Sequence, residues 1–168
     1  MSHLMMLVLA LLAATVQVAV LPVLAASPLA VPLLPVALLA AWCVMRRPTE
    51  TWPVLLVTPM LLGPLSEEQF GWFLVALLPA AAVGTLLSPI DAPGPPPGLG
   101  HQLALVALVA AVGAAGHAAI LATAGGVPGN LVHDAGAIAG SLAWTVIFAF
   151  AMALVLAPLR PRPRGLFA

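Results

Sequence analysis

Charge is what this chain lacks. Its 168 residues carry five basic and five acidic side chains, 6% of the total, whereas 63% are hydrophobic. A soluble domain devotes roughly 25% of its residues to Asp, Glu, Lys and Arg, because those side chains cover its surface. So few charges cannot cover a soluble fold of this size, and a bilayer is the solvent that suits the remainder. The expectation is an all-α integral membrane protein. Formal net charge is zero, which gives no basic face for nucleic acid. The basic residues are all arginine, and three of them, Arg160, Arg162 and Arg164, fall in the last nine positions. Cys43 is the one cysteine. It can form no internal disulfide and no Cys-based metal cage, and it reads as a small apolar residue in a helix.

Apolar segments are marked off by charges and by Pro/Gly clusters. They run over about Leu4 to Ala25, Leu29 to Met45, Trp52 to Leu65, Phe70 to Leu87, Leu103 to Ala124 and Ala135 to Leu159. The first has no Lys or Arg before it, and its apolar run is longer than the roughly 7 to 15 residues of a signal-peptide core. It is therefore expected to be a retained membrane helix. The third is short: its residues at about 1.5 Å each give about 21 Å, against a hydrocarbon core of roughly 30 Å. It also contains Pro53, Pro59 and Pro64. A proline inside a helix removes a hydrogen bond and bends it. A short, bent crossing is expected, with a re-entrant hairpin made with the fourth segment as the alternative.

Short loops that carry arginine stay cytoplasmic. Placing Arg46 and Arg47 inside makes the first helix begin inside. Six crossings then return Arg160, Arg162 and Arg164 to the same face, so both termini are cytoplasmic and all five arginines act as topology anchors. Five crossings would divide them between the faces. The acidic Glu67–Glu68 loop and residues 125–134 fall outside. Residues 89–100, rich in Pro and Gly, form a stiff cytoplasmic connector between a four-helix part (1–88) and a two-helix part (101–168) of one membrane domain.

Ionisable residues inside a membrane mark function, but no Asp, Glu or Arg lies in the middle of any expected span. Coupled transporters place carboxylates near the midplane, so coupled transport is disfavoured. Gln17, just past the centre of the first helix, must find a partner away from lipid, most simply across a helix interface, and Thr58 is a second source of polar specificity. His117 reads as a neutral histidine bonded to a neighbouring helix. Asp134, beside His133, fits the N-cap of the sixth helix. No HExxH, nucleophile elbow or second carboxylate at ligand spacing accompanies that pair, so no catalytic residue, metal site or cofactor is expected. Gly136 and Gly140, with Gly113 and its flanking alanines, form small-residue faces. Such faces let the fifth and sixth helices approach closely, or accept a partner's transmembrane helix. Trp42, Trp52 and Trp72 sit near expected helix ends, as in an aromatic belt. Trp144 is deeper and is expected at an interface.

The order of features over residues 8–88 resembles the bacterial rod shape-determining protein MreD family. An apolar helix carries a Gln and then Leu-Pro ("LLAATVQVAVLPVLA"). A proline-led helix ("PLLPVALLAAWCVM") ends in a basic turn ("RRPTE"). A short helix ends in Gly and small residues ("VLLVTPMLLGPLSE"), and another apolar helix follows ("FGWFLVALLPAAAVGTLL"). Where members commonly show a Gly-Leu-Leu-x-Asp type stretch, this chain has "LLGPLSEE", with Pro64 and no Asp. The resemblance implies a non-enzymatic scaffold of the cell-shape and elongation machinery in the bacterial cytoplasmic membrane. The partners it implies are MreC-like single-span proteins and the peptidoglycan glycosyltransferase and penicillin-binding protein. The alternative from the residues is a small-molecule-binding membrane subunit of an importer, of the vitamin-capturing type. In that reading Glu67, His117, His133 and Asp134 line an outward pocket.

Overall fold

The computed structural model describes residues 2–21, 31–65, 70–89, 97–124 and 131–159. Six α-helices and no strand occur among the described residues. Helix α1, Ser2–Thr15, runs on through a π-helical turn at Val16–Val20. Helix α2 is Leu34–Met45, and a 3₁₀ turn, Pro48–Glu50, links it to α3, Trp52–Leu65. Helices α4, Phe70–Leu86, α5, Leu99–Ala124, and α6, Leu131–Leu156, complete the set, with a final 3₁₀ turn at Ala157–Leu159.

Each apolar segment became one helix, but several ends moved. Helix α2 starts at Leu34, after non-helical Val31–Leu33, and not near Leu29. Pro35 stands in its first turn, where a missing N–H is harmless and the fixed φ suits a helix start. Helix α5 begins four residues early, where the Pro/Gly tract ends and the Gln102 backbone N–H reaches Gly98 O at 3.2 Å. Helix α6 begins at Leu131, so Asp134 lies inside its first turns; the expected N-cap position is corrected. Two stretches, Leu99–Ile120 and Ile138–Leu159, are long and apolar enough to cross a membrane, each with 22 residues. The other apolar helices are shorter; α2, at 12 residues, reaches only about 18 Å.

Helix α2 is the axis of the molecule. Every residue from Leu34 to Met45 is buried, as expected for a helix that is apolar on all sides. It packs most extensively on α6 and α5, then on α4 and α1, so the parts before and after the connector share one core. Around it the other helices form a ring in the order α1, α3, α4, α5, α6, each packed on the next. Among the described residues the ring is open between α6 and α1. Its outer surface is apolar as well: Leu4, Val8, Met60, Leu86, Leu154 and Val155 are among the large side chains it exposes. Such continuous apolar exposure marks a surface meant for lipid or for another protein.

The tightest seam joins α4, α5 and α2. A Cβ built on Gly113 would stand 2.6 Å from Ala80 Cβ and 2.9 Å from Val36 Cγ1, too close for any side chain. Gly84 meets Cys43 in the same way, with a Cβ placed 2.8 Å from its Sγ. These glycines set how near α5 and α4 come to the axis. Gly113→Val is expected to lower stability by ~1–3 kcal/mol through overpacking. Gly136→Ala, which meets open space, is expected to leave stability unchanged or raised by up to ~1 kcal/mol. Reversible unfolding of both variants in detergent micelles measures the contrast.

Candidate functional site

The non-helical stretch before α2 leaves backbone groups that the chain must pair. Leu33 N–H donates to Thr145 Oγ1 at 2.9 Å, and Leu34 N–H donates to Gln17 Oε1 at 2.8 Å. Ser141 Oγ donates to Val31 O at 2.7 Å, and Thr145 Oγ1 donates to Ser141 O at 2.6 Å. The first turn of α2 is thus capped from outside, by α6 and by the π-helical turn that ends α1. No side chain of Leu33 could do it. Gln17 does pair across a helix interface, with backbone as its partner. Ser141 and Thr145 went unnoticed in the sequence. Their signal was a hydroxyl pair four apart, hence on one face of a helix.

The opposite end of α2 is closed by charge. Arg46 Nε lies 3.3 Å from Glu50 Oε2, and the indole Nε1 of Trp42 donates to the same oxygen at 3.1 Å. The guanidinium sits 5.2 Å from the Trp42 ring centroid and donates through Nη1 to Leu159 O at 2.8 Å. Arg46 therefore ties the end of α2 to the end of α6, while Arg47 is exposed. Trp52 Nε1 donates to His3 Nδ1 at 3.2 Å, which brings the start of α1 to the same end of the bundle. Arg160, Arg162, Arg164, Glu67 and Glu68 lie outside the described residues. Trp42 is fully buried and belongs to the core, so it is no part of an aromatic belt; Trp52 and Trp72 are exposed near helix ends.

Two concavities flank the cap on α2. The first is a groove of about 310 Å³ at the opening of the ring. Leu9, Leu12, Ala13 and Val16 of the α1 side face Phe148, Ala151, Met152 and Val155 of α6, with Leu34 and Leu38 of α2 as the floor. The second is a cavity of about 260 Å³ reached by α1 through α5, where Gln17, Thr58 and His117 share a lining with Leu33, Val36, Leu62, Phe73 and Leu77. Thr58 is 1% exposed and His117 7% exposed. Thr58 Oγ1 and His117 Nδ1 are buried without a hydrogen-bond partner. The His117 ring stands 6.3 Å from Phe73, centroid to centroid, and interacts with the Ala76 backbone.

The remaining candidates separate. Gly113 packs on α4 and α2. Gly136 is exposed with open space around it, and Gly140 is half-buried. Helices α5 and α6 do pack together, but the close approach on α5 is made to α4. Trp144 is 48% exposed and tilts against Phe148 at 6.4 Å. His133 and Asp134 lie in the first turns of α6. Among the described residues no three His, Cys, Asp or Glu side chains gather at metal-binding distance. No protein family, curated protein or solved structure matches this chain.

Gln17→Leu and Thr145→Val each orphan one part-buried N–H at the α2 start. Each is expected to cost ~1–3 kcal/mol of stability. Denaturant titration in micelles, with Thr15→Val as a control whose hydroxyl bonds only within α1, measures the loss.

Proposed function

We propose that this chain is a non-enzymatic, multi-pass scaffold of the bacterial cytoplasmic membrane that docks the single transmembrane helix of a partner, in the manner implied by its resemblance to the MreD family. The observation that carries the reading is the incomplete ring. Among the described residues five helices surround α2, and no helix stands between α6 and α1. A sixth helix would close it. The groove there offers apolar walls with the small residues Ala13 and Ala151 facing across it, the combination that lets membrane helices approach closely. In this reading all six helices cross or enter the bilayer, and His3, Arg46 and Leu159 mark its cytoplasmic end. The partner is an MreC-like protein with one membrane helix. The peptidoglycan glycosyltransferase and penicillin-binding protein assemble on the same scaffold.

Ala151→Trp fills the groove from the α6 side. Co-purification of a co-expressed MreC-like partner is expected to fall at least ~10-fold. Leu108→Trp, on the exposed face of α5, is expected to retain it. Recovery of the partner with Ala151→Trp at wild-type yield would overturn the docking site. The topology is checked separately with single-cysteine reporters in a Cys43→Ala background. A membrane-impermeant maleimide is expected to label Gly136→Cys in intact cells, and Arg47→Cys only after the cytoplasmic face is opened.

A further inference from the structure

The cavity lined by Thr58 and His117 has no task in helix docking. It sits among α1 to α5, away from the opening of the ring. Its polar groups are also oddly left over. Gln17 spends its carbonyl oxygen on Leu34 N–H, yet Thr58 Oγ1 and His117 Nδ1 have nothing to bond. A buried polar atom without a partner costs free energy, and most buried polar side chains in native proteins are paired. Two such atoms in one cavity point to an occupant.

The lining limits what that occupant is. No lysine, arginine or carboxylate lines the cavity among the described residues, so from them an ion would gain no counter-charge. At the start of α2 the N–H groups of Leu33 and Leu34 are already taken and Pro35 has none, which removes most of the usual anion donors of a helix N-terminus. Water alone fits poorly. A volume of about 260 Å³ corresponds to roughly nine waters at ~30 Å³ each, and each needs two to four polar partners. The side chains here are mostly aliphatic or aromatic. An apolar cavity of ~150 Å³ suffices for benzene, so this one accommodates a slightly larger body. His117 Nδ1 is the ring nitrogen left without a partner, and a neutral imidazole offers one of its nitrogens as an acceptor.

We infer that the Thr58–His117 cavity is a binding site for a small uncharged amphipathic molecule. Its apolar body, of about ten non-hydrogen atoms or fewer, rests on Leu62, Phe73 and Leu77, and its hydroxyl donates to His117 Nδ1, with Thr58 Oγ1 as a second partner.

Benzyl alcohol and toluene are the matched probes, differing in the hydroxyl. The full chain is placed in lipid nanodiscs with ¹⁵N-labelled histidine. Benzyl alcohol is expected to shift the His117 Nδ1 resonance saturably and to bind ~10-fold more tightly than toluene, the worth of one hydrogen bond. His117→Phe keeps the ring packing on Phe73 and is expected to erase that preference. Thr58→Val, nearly the same shape, is expected to reduce it several-fold and decides the matter if the histidine variant does not fold. A response linear in probe concentration, equal affinity for the two probes, or an unchanged preference in the variants would overturn the site. The partner-docking assay is read separately, so failure here leaves the scaffold reading intact.

Discussion

The backbone between Val31 and Leu34 governs this structure. A chain that passes from non-helical to helical in a largely apolar setting leaves N–H and C=O groups with little access to water, and each one buried and unpaired costs ~1–3 kcal/mol. Irregular backbone of that kind is tolerated in membrane proteins only where it is buried in protein or lines a cavity. Here Thr145 accepts from the Leu33 N–H and Gln17 from the Leu34 N–H, and Ser141 donates to the Val31 carbonyl. Side chains from the two walls of the ring opening are thereby anchored on α2. The positions of α1 and α6 follow from the need to bring those polar atoms within about 3 Å of one short stretch.

With its start capped this way, α2 can be short and wholly apolar between two polar ends. The lower closure uses charge where the upper uses amides and hydroxyls. Glu50 receives both Arg46 and the Trp42 indole, and Arg46 also holds the last carbonyl of the α6 region. Between these ends, glycines at 84 and 113 let α4 and α5 press against α2. The groove and the cavity both touch the capped turn: Leu34 is part of the groove floor, and Leu33 and Gln17 line the cavity. An occupant of either lies against the same few backbone hydrogen bonds.

Much of the helix plan was legible in order. Scarcity of charge and the Pro/Gly breaks gave six apolar segments, and the third helix occupies the residues read for it, Trp52–Leu65. Gln17 was legible too, because an amide amid aliphatic side chains has to bond something. What could not be read was identity of contact. The glycine at 113 looked like a partner for α6, but it packs under Ala80 of α4, since helix rotation depends on all neighbours together. Trp42 looked like an interfacial tryptophan, but Glu50 and Arg46 satisfy its indole and draw it inside. Asp134 looked like a cap, but the helix extends past it toward Leu131. The Ser141–Thr145 spacing put two hydroxyls on one helix face but gave no sign of what they bond, because their partners are more than a hundred residues away.

By itself the sequence determined composition-driven properties: an all-helical, apolar chain, the number of its helices, and the few polar atoms obliged to find partners. Those follow from local forces, namely transfer of side chains out of water and the breaking of helices by proline. Tertiary structure alone decided that α2 is the axis, that the ring of described helices around it is open between α6 and α1, and that Thr58 Oγ1 and His117 Nδ1 share a cavity with neither atom bonded. The physical reason is that aliphatic surfaces attract one another without direction. Only close packing at a few glycines and the distant hydrogen bonds at the start of α2 select one arrangement among many of similar hydrophobic content.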